Sequence, residues 1–283
     1  MKFFSIFSAP TLSPTWQYRP GGLIWRILFS EHSRIVGEVR DDEKKIASFF
    51  CIDEHSGSPL WEGVQLETPW WVGIESVQGE YVVLHGFAKP DMPEHRGIYV
   101  LDLHSGKERW KNAELTYWFA YRDKLYAYRD RFEKRIGYAL SLDSGEVVEM
   151  FENEVEALQP LRKLAQEETE HSGFAFPELA AADMLPPRVK QLLQKEAKGR
   201  DVVGEIEFME EGDFLIFNYY TSGGNALQNR IAVFERQKHH RVYSETLTTN
   251  AKAPIPDSFF VKDGSLFFIK DQQTLVAVTL WKS

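Results

Sequence analysis

A chain of 283 residues with 43% apolar and 27% charged side chains can bury roughly 75% of the surface its unfolded form exposes, so it needs neither disulfides nor metal to build a core. Its formal net charge of −9 opposes non-specific attraction to nucleic acid or anionic lipid, and its one cysteine, Cys51, excludes an internal disulfide framework. The N-terminal MKFFSIFSAP carries one lysine and too few apolar residues before Pro10 for a secretory segment, and no run reaches the roughly 18 apolar residues of a membrane helix, so the cytoplasm is the expected compartment.

In chain order the pattern begins at SPTWQYRPGGLIW, residues 13–25, which matches SPLWEGVQLETPW at 58–70, with Trp16 and Trp25 spaced like Trp61 and Trp70. Five hairpins follow: LFSEHSRIVGEV (28–39), IESVQGEYVVLH (74–85), FAYRDKLYAYRD (119–130), EFMEEGDFLIFN (207–218) and FFVKDGSLFFIK (259–270). In each, a short apolar strand meets a polar turn and apolar alternation then resumes. Anchored on Ile35, Tyr81, Leu125, Phe214 and Leu266, the copies lie 46, 44, 89 and 52 residues apart. The long interval is an ordinary one with about 45 to 50 residues inserted, and residues 155–203 are such a segment, so the repeat is interrupted there. That segment contains PPRVKQLLQKEAK, whose initial prolines and apolar Val189, Leu192 and Leu193 at helical spacing predict a helix. An excursion of this length in a compact repeat suggests a role of its own.

Third strands are expected at IASFFCID, GIYVLDL, IGYALSL, RIAVFER and TLVAVTL, apolar at nearly every position as in strands packed on both faces. Fourth strands are expected at SPLWEG, KERWKN, EVVEMF and HRVYSE; the last copy has none, and the segment around Trp16 supplies it, which removes an exposed edge. The predicted fold is all-β and occupies residues 1–283 as one domain. It is a five-bladed β-propeller of four-stranded antiparallel blades, with the N-terminal strand closing the last blade and a helical insertion between blades three and four.

Between third and fourth strands stand FFCIDEHSGSPLW (49–61), GIYVLDLHSGKERW (97–110) and GYALSLDSGEVVEM (137–150), in which Gly57, Gly106 and Gly145 share one position. A loop this short needs one residue at positive φ, where glycine costs least, and a preceding Asp or Ser can bond the turn's backbone. Trp61 and Trp110 offer flat surfaces to bury against a neighbouring sheet. These phrases resemble the pyrroloquinoline-quinone-type propeller repeat: an apolar strand, Asp, two residues, Ser or Thr, Gly, and Trp four residues on. Asp53, Ser56, Gly57 and Trp61 fit it, as do Asp102, Ser105, Gly106 and Trp110. The third copy departs, with Ser141 for Asp and Met150 near the Trp position, and the fourth and fifth lack the turn. The resemblance covers about half the chain and implies fold only. As a whole the chain looks like a bacterial family of unknown function.

The resemblance also implies what to check for a cofactor. Quinone-dependent relatives of this repeat are larger and often use a vicinal disulfide, which one cysteine cannot make; no cofactor is expected. The eight histidines are scattered, His55 and His104 lie in turns, and His239 and His240 sit in RQKHHRV, so no metal site is expected. HSG recurs at 55–57, 104–106 and 171–173, but adjacent turn residues do not provide the buried base that serine catalysis requires. A glycan-hydrolysing alternative would use carboxylates of the innermost strands, Glu75, Glu205, Glu207 and Asp257, two of which would have to stand roughly 5 to 9.5 Å apart.

A binding surface is expected on the loop-bearing rim formed by QYRPGG, GFAKPDMPEHRG, YRDRFEKR, TSGGNALQNR and the insertion. Arg19, Arg96, Arg129 and Arg131 stand there beside Trp71, Trp118 and Tyr219, a mixture suited to a protein partner or a small planar or anionic ligand. The sequence therefore points to a non-catalytic interaction scaffold, with no nucleic-acid or membrane partner.

Overall fold

The computed structural model describes residues 11–88, 94–132, 134–152, 155–169, 173–224 and 226–281. The N-terminal MKFFSIFSAP, residues 89–93 of the GFAKPDMPEHRG loop, and His171 and Ser172 of the third HSG string lie outside them. The chain divides into two compact units, one of Tyr18–Ser172 and one of Met1–Gln17 with Gly173–Ser283.

After the short β1 (Trp16–Tyr18), the first unit builds three four-stranded antiparallel meanders. The first sheet is β2 (Leu23–Phe29), β3 (Arg34–Asp41), β4 (Ile46–Asp53) and β5 (Pro59–Val64). The second is β6 (Val72–Gln78), β7 (Tyr81–Phe87), β8 (His95–Asp102) and β9 (Glu108–Asn112). The third is β10 (Thr116–Tyr121), β11 (Lys124–Arg131), β12 (Lys134–Ser141) and β13 (Val147–Phe151), followed by a 3-10 turn and α1 (Gln159–Thr169). Helix α1 lays Ala165, with Leu158 of the preceding turn, on Phe119, Tyr126 and Ala139 of the third sheet.

The Ser-Gly turns show why their letters recur. Asp53 Oδ1 accepts from Ser56 N–H and Oγ–H, both at 2.9 Å, and Asp102 Oδ1 accepts from the same groups of Ser105 at 2.8 and 2.7 Å. Gly106 and Gly145 have φ of +67° and +72°, and each also lies under a tryptophan ring of the preceding sheet: a Cβ at Gly106 would sit 2.7 Å from Trp61, and one at Gly145 2.6 Å from Trp110. The two rings are then pinned by indole N–H donation to the carbonyls of Leu103 and Leu142, each at 2.8 Å. Around these locks, Phe49, Cys51 and Trp61 of the first sheet pack on Ile74, Leu84 and Leu101 of the second. Ile98 and Val100 of the second pack on Leu125 and Leu140 of the third.

The second unit holds two five-stranded sheets. Its strands are β14 (Phe174–Ala175), β15 (Glu178–Ala180), β16 (Val202–Glu211), β17 (Phe214–Ser222), β18 (Leu227–Glu235), β19 (Arg241–Ala251), β20 (Phe259–Lys262), β21 (Ser265–Lys270) and β22 (Thr274–Thr279), with α2 (Pro187–Ala197) between β15 and β16. The fourth sheet runs β15-β16-β17-β18-β19 and the fifth β1-β22-β21-β20-β14. The inserted segment thus contributes a strand to each sheet as well as helices. The N-terminal strand joins β22 as its sequence match predicts: Thr15 N–H donates to Ala277 O at 2.8 Å, and Thr279 N–H to Thr15 Oγ1 at 2.9 Å.

Helix α2 forms where its spacing predicts, and Val189, Leu192, Leu193 and Ala197 bury against Ile206, Leu215, Phe217 and Tyr219. Glu196 on the same helix is held by the Arg241 guanidinium at 2.8 Å. This covers the sheet face that would otherwise meet solvent, so β17 is buried at seven consecutive positions from Leu215 to Thr221.

Among the described residues the architecture is therefore all-β, with five sheets of four or five strands. Among the described residues no helix is long and apolar enough to cross a membrane.

Candidate metal centre on the second sheet

Three neighbouring strands of the second sheet bring Glu75, His85 and His95 together, and two backbone irregularities aim them. On β6 the register passes from Ile74↔Leu84 to Ser76↔Val83, so Glu75 is the extra residue of a bulge, the device by which a strand redirects one side chain. Between β7 and β8 it passes from His85↔Ile98 to Phe87↔His95, leaving Arg96 and Gly97 opposite Gly86. Gly97 takes φ +94°, and a Cβ on Gly86 would come 2.7 Å from Arg96 O, so both glycines are needed for this second bulge. Its effect is to bring His95 level with His85.

Glu75 Oε1 lies 3.0 Å from Nδ1 of His85 and 3.0 Å from Nδ1 of His95. The imidazoles stack at 3.6 Å between centroids with planes 7° apart. The His95 contact is a hydrogen bond, whereas His85 Nδ1 is out of line for one; neither His85 nitrogen has a hydrogen-bond partner, although the residue is only 6% exposed. Phe87 meets both rings edge-on, at 4.9 and 5.1 Å, and Trp71 meets Phe87 at 6.0 Å.

Polar neighbours fix the surrounding backbone. Glu38 is buried on β3, where its Oε2 accepts from Ile74 N–H at 3.0 Å and its Oε1 from Arg40 Nε at 2.6 Å. Arg26 donates to Ile74 O at 2.6 Å, and Thr116 Oγ1 to His95 O at 3.0 Å. Gly73 leaves room for the His85 ring, since a Cβ there would fall 2.9 Å from its Cε1.

Burial would raise the Glu75 carboxyl, but the two adjacent imidazoles hold it below its ordinary value. His95 is pushed below its usual range by burial first and by His85 second. The neutral imidazole is the form that ligates metal, and two imidazoles with one carboxylate make a recognised donor set for zinc and other first-row divalent ions.

The histidines had read as scattered because both bulges break the period of two by which strands align. Glu75, expected among the channel carboxylates, contacts both histidines of this cluster. The other three acids belong to the second unit. Glu205 and Asp257 are exposed, and Glu207 is buried, accepting from Ser258 N–H at 3.0 Å.

The rim residues divide. Arg96 and Arg129 meet on one carboxylate, Glu114, at 3.1 and 2.9 Å. Arg19 and Arg131 are exposed. Trp118 lies under the Arg162 guanidinium of α1 at 6.0 Å. Tyr219 does not belong to a surface: it is fully buried between Phe217 and the residues beneath α2, and serves the core. His55, His239 and His240 are exposed turn residues, and His104 contacts Glu80 at 2.5 Å, with His32 on the other Glu80 oxygen at 3.1 Å.

The family described as a domain of unknown function (DUF4905) matches residues 29–110, a span that contains Glu75, His85 and His95. No curated protein sequence matches the chain. Among solved structures, the chain is similar to a eukaryotic initiation factor at 10% identity and TM-score 0.33, with 92% of this chain and 55% of that one aligned. It is similar to the Dos1 propeller at 8% identity and TM-score 0.32, covering 92% and 68%. It is similar to the β-propeller domain of the Trilobed protease from Pyrococcus furiosus at 12% identity and TM-score 0.31, covering 92% and 70%. The chain thus spans little more than half of the initiation factor.

Proposed function

We propose that the chain is a five-bladed, single-domain β-propeller of pyrroloquinoline-quinone-type repeats, and that it acts in a bacterial cytoplasm as a non-catalytic scaffold for a protein partner. The observation that carries this reading is β13. β5, β9 and β13 each end their sheet, but in β5 and β9 the large aromatic residue turns inward onto the next sheet, whereas β13 leaves Val147, Val148 and Met150 at 53%, 57% and 52% exposure. An apolar edge strand is a template for a strand from another chain, with main-chain hydrogen bonds supplying affinity and alternate side chains supplying selectivity. A secondary contact is assigned to the loops bearing Arg19, Arg96, Arg129 and Arg131 with Trp71 and Trp118.

Glycan hydrolysis is the weaker reading, because Glu207 is engaged by Ser258 and Glu75 by two histidines. The test is affinity purification from source-cell lysate with the wild-type chain and the V148D/M150D double variant. Both positions are exposed, so the variant keeps the wild-type circular dichroism spectrum and loses a specifically recovered protein. Recovery of an identical set by both would remove β13 as the contact strand.

A further inference from the structure

We infer that Glu75, His85 and His95 form a three-ligand site for a divalent first-row transition-metal ion of the zinc class, bound through Glu75 Oε1 and Nδ1 of each histidine. The first support is geometric. Zinc bonds of 2.0–2.2 Å to nitrogen and oxygen set neighbouring tetrahedral ligand atoms about 3.3 Å apart. The two Nδ1 to Oε1 separations are 3.0 Å, and the three donor atoms lie within 4.8 Å of one another. The separations match a zinc ligand set, and because an ion lies near the plane of each imidazole it binds while these rings stack with planes 7° apart, metal entry turns the more exposed His95 ring out of the stack.

The second support is His85. Its Nδ1 has only the out-of-line Glu75 oxygen and its Nε2 has no hydrogen-bond partner, and buried polar groups left so are rare without a role. Coordination satisfies Nδ1. It also relieves the competition of two imidazoles for one carboxylate oxygen.

The third is the backbone built around the cluster. Two bulges, the two glycines of the second bulge, and Gly73 all serve to hold these three side chains. Side-chain exposure rises from 7% at His85 through 16% at Glu75 to 35% at His95, so an ion enters past His95 and three protein ligands leave a position for water on that side.

The donor set fixes the selectivity. Two imidazole nitrogens and one carboxylate suit zinc, cobalt or iron, whereas magnesium and calcium require mostly oxygen donors. The site is independent of β13 and of the scaffold reading.

The experiment uses the untagged full-length chain, stripped with a chelator and titrated with Zn2+ against a chromophoric competitor. One tight equivalent is expected, unaffected by millimolar Mg2+ or Ca2+, and Co2+ in its place gives the intense visible bands of four-coordinate geometry. Affinity falls at least about tenfold in Glu75→Gln and His95→Ala. Gly73→Ala, which displaces the His85 ring, weakens binding while leaving all ligands present.

His104→Ala, which disrupts the exposed His32, Glu80 and His104 contacts, leaves the equivalent intact. Circular dichroism confirms that each variant is folded; should His95→Ala not fold, Glu75→Gln, which keeps size and shape, decides alone. The inference is overturned by the absence of saturable binding, by displacement with Mg2+, or by a zinc equivalent that survives Glu75→Gln or disappears in His104→Ala.

Discussion

The second and third sheets each offer a Ser-Gly turn to a tryptophan of the sheet before, whereas the third sheet itself ends in β13 with Met150 where that tryptophan would stand. The contrast shows that Trp and Gly are two halves of one device. Glycine supplies both the positive φ and the flat space the indole fills, and the indole N–H then fixes the turn from outside. Where the aromatic half is missing, the strand faces solvent. The second unit solves the same problem differently: Trp281 stacks on Phe214 at 6.2 Å and covers Gly212 and Gly264, the glycines of the β16–β17 and β20–β21 turns.

The largest expected effect comes from breaking the device. Trp61→Ala should lose about 3–5 kcal/mol in chemical denaturation, while Met150→Ala, at an exposed position, should stay within about 0.5 kcal/mol of wild type. Cys51 gives an independent readout. It is buried beside Trp61, and burial pushes its thiol up to about 12, so almost no thiolate exists at pH 8. The native chain should resist a thiol reagent that labels Trp61→Ala readily; equal labelling of both would mean the ring does not seal this cluster.

A smaller effect separates the two tasks of glycine. Gly106 and Gly63 have nearly the same φ, +67° and +69°, but a Cβ on Gly63 meets nothing within 4 Å. Gly63→Ala should therefore cost only the left-handed strain, about 1–2 kcal/mol, and Gly106→Ala about 1–3 kcal/mol more because Trp61 must move. Equal losses in the two variants would show that the ring yields without cost.

The smallest effect concerns pH. The Ser105 hydroxyl and N–H hold the Asp102 carboxyl below its ordinary value. A depressed folded pKa contributes stability that is present above the unfolded value near 4 and is lost as pH falls through the folded one. Asp102→Asn should thus show a shallower loss of stability between pH 5 and 3 than wild type, whereas the third turn has Ser141 in that place and its lowered carboxyl is Asp143, held down by Arg109 and Tyr81.

Much of the fold was legible because turn chemistry and strand periodicity are local. All five hairpins and the third strands follow from letters within about a dozen residues of one another, and the join of β1 to β22 follows from the match of 13–25 to 58–70 and the fourth strand missing from the last copy. Helix α1 was missed because only Ala165 and its neighbours touch the sheet, leaving a mostly polar segment with a weak apolar stripe. Tyr219 was misplaced because α2 buries a strand face that alternation assigns to solvent. The histidine cluster was hidden for a third reason. Glu75, His85 and His95 are evenly spaced ten residues apart, but only the two bulges convert that spacing into convergence, and bulges leave little trace in sequence beyond Gly86 and Gly97.

The pairing of β1 with β22 sets an order of events in time. Thr15 and Thr279 are 264 positions apart, so the fifth sheet cannot be finished until Thr279 has been synthesised, and closing so long a loop is intrinsically slow. The unit of Tyr18–Ser172 is continuous and can form while synthesis proceeds, whereas in its discontinuous counterpart β1 must wait unpaired until β22 emerges. During that wait the newborn chain is most open to mispairing and to chaperone capture.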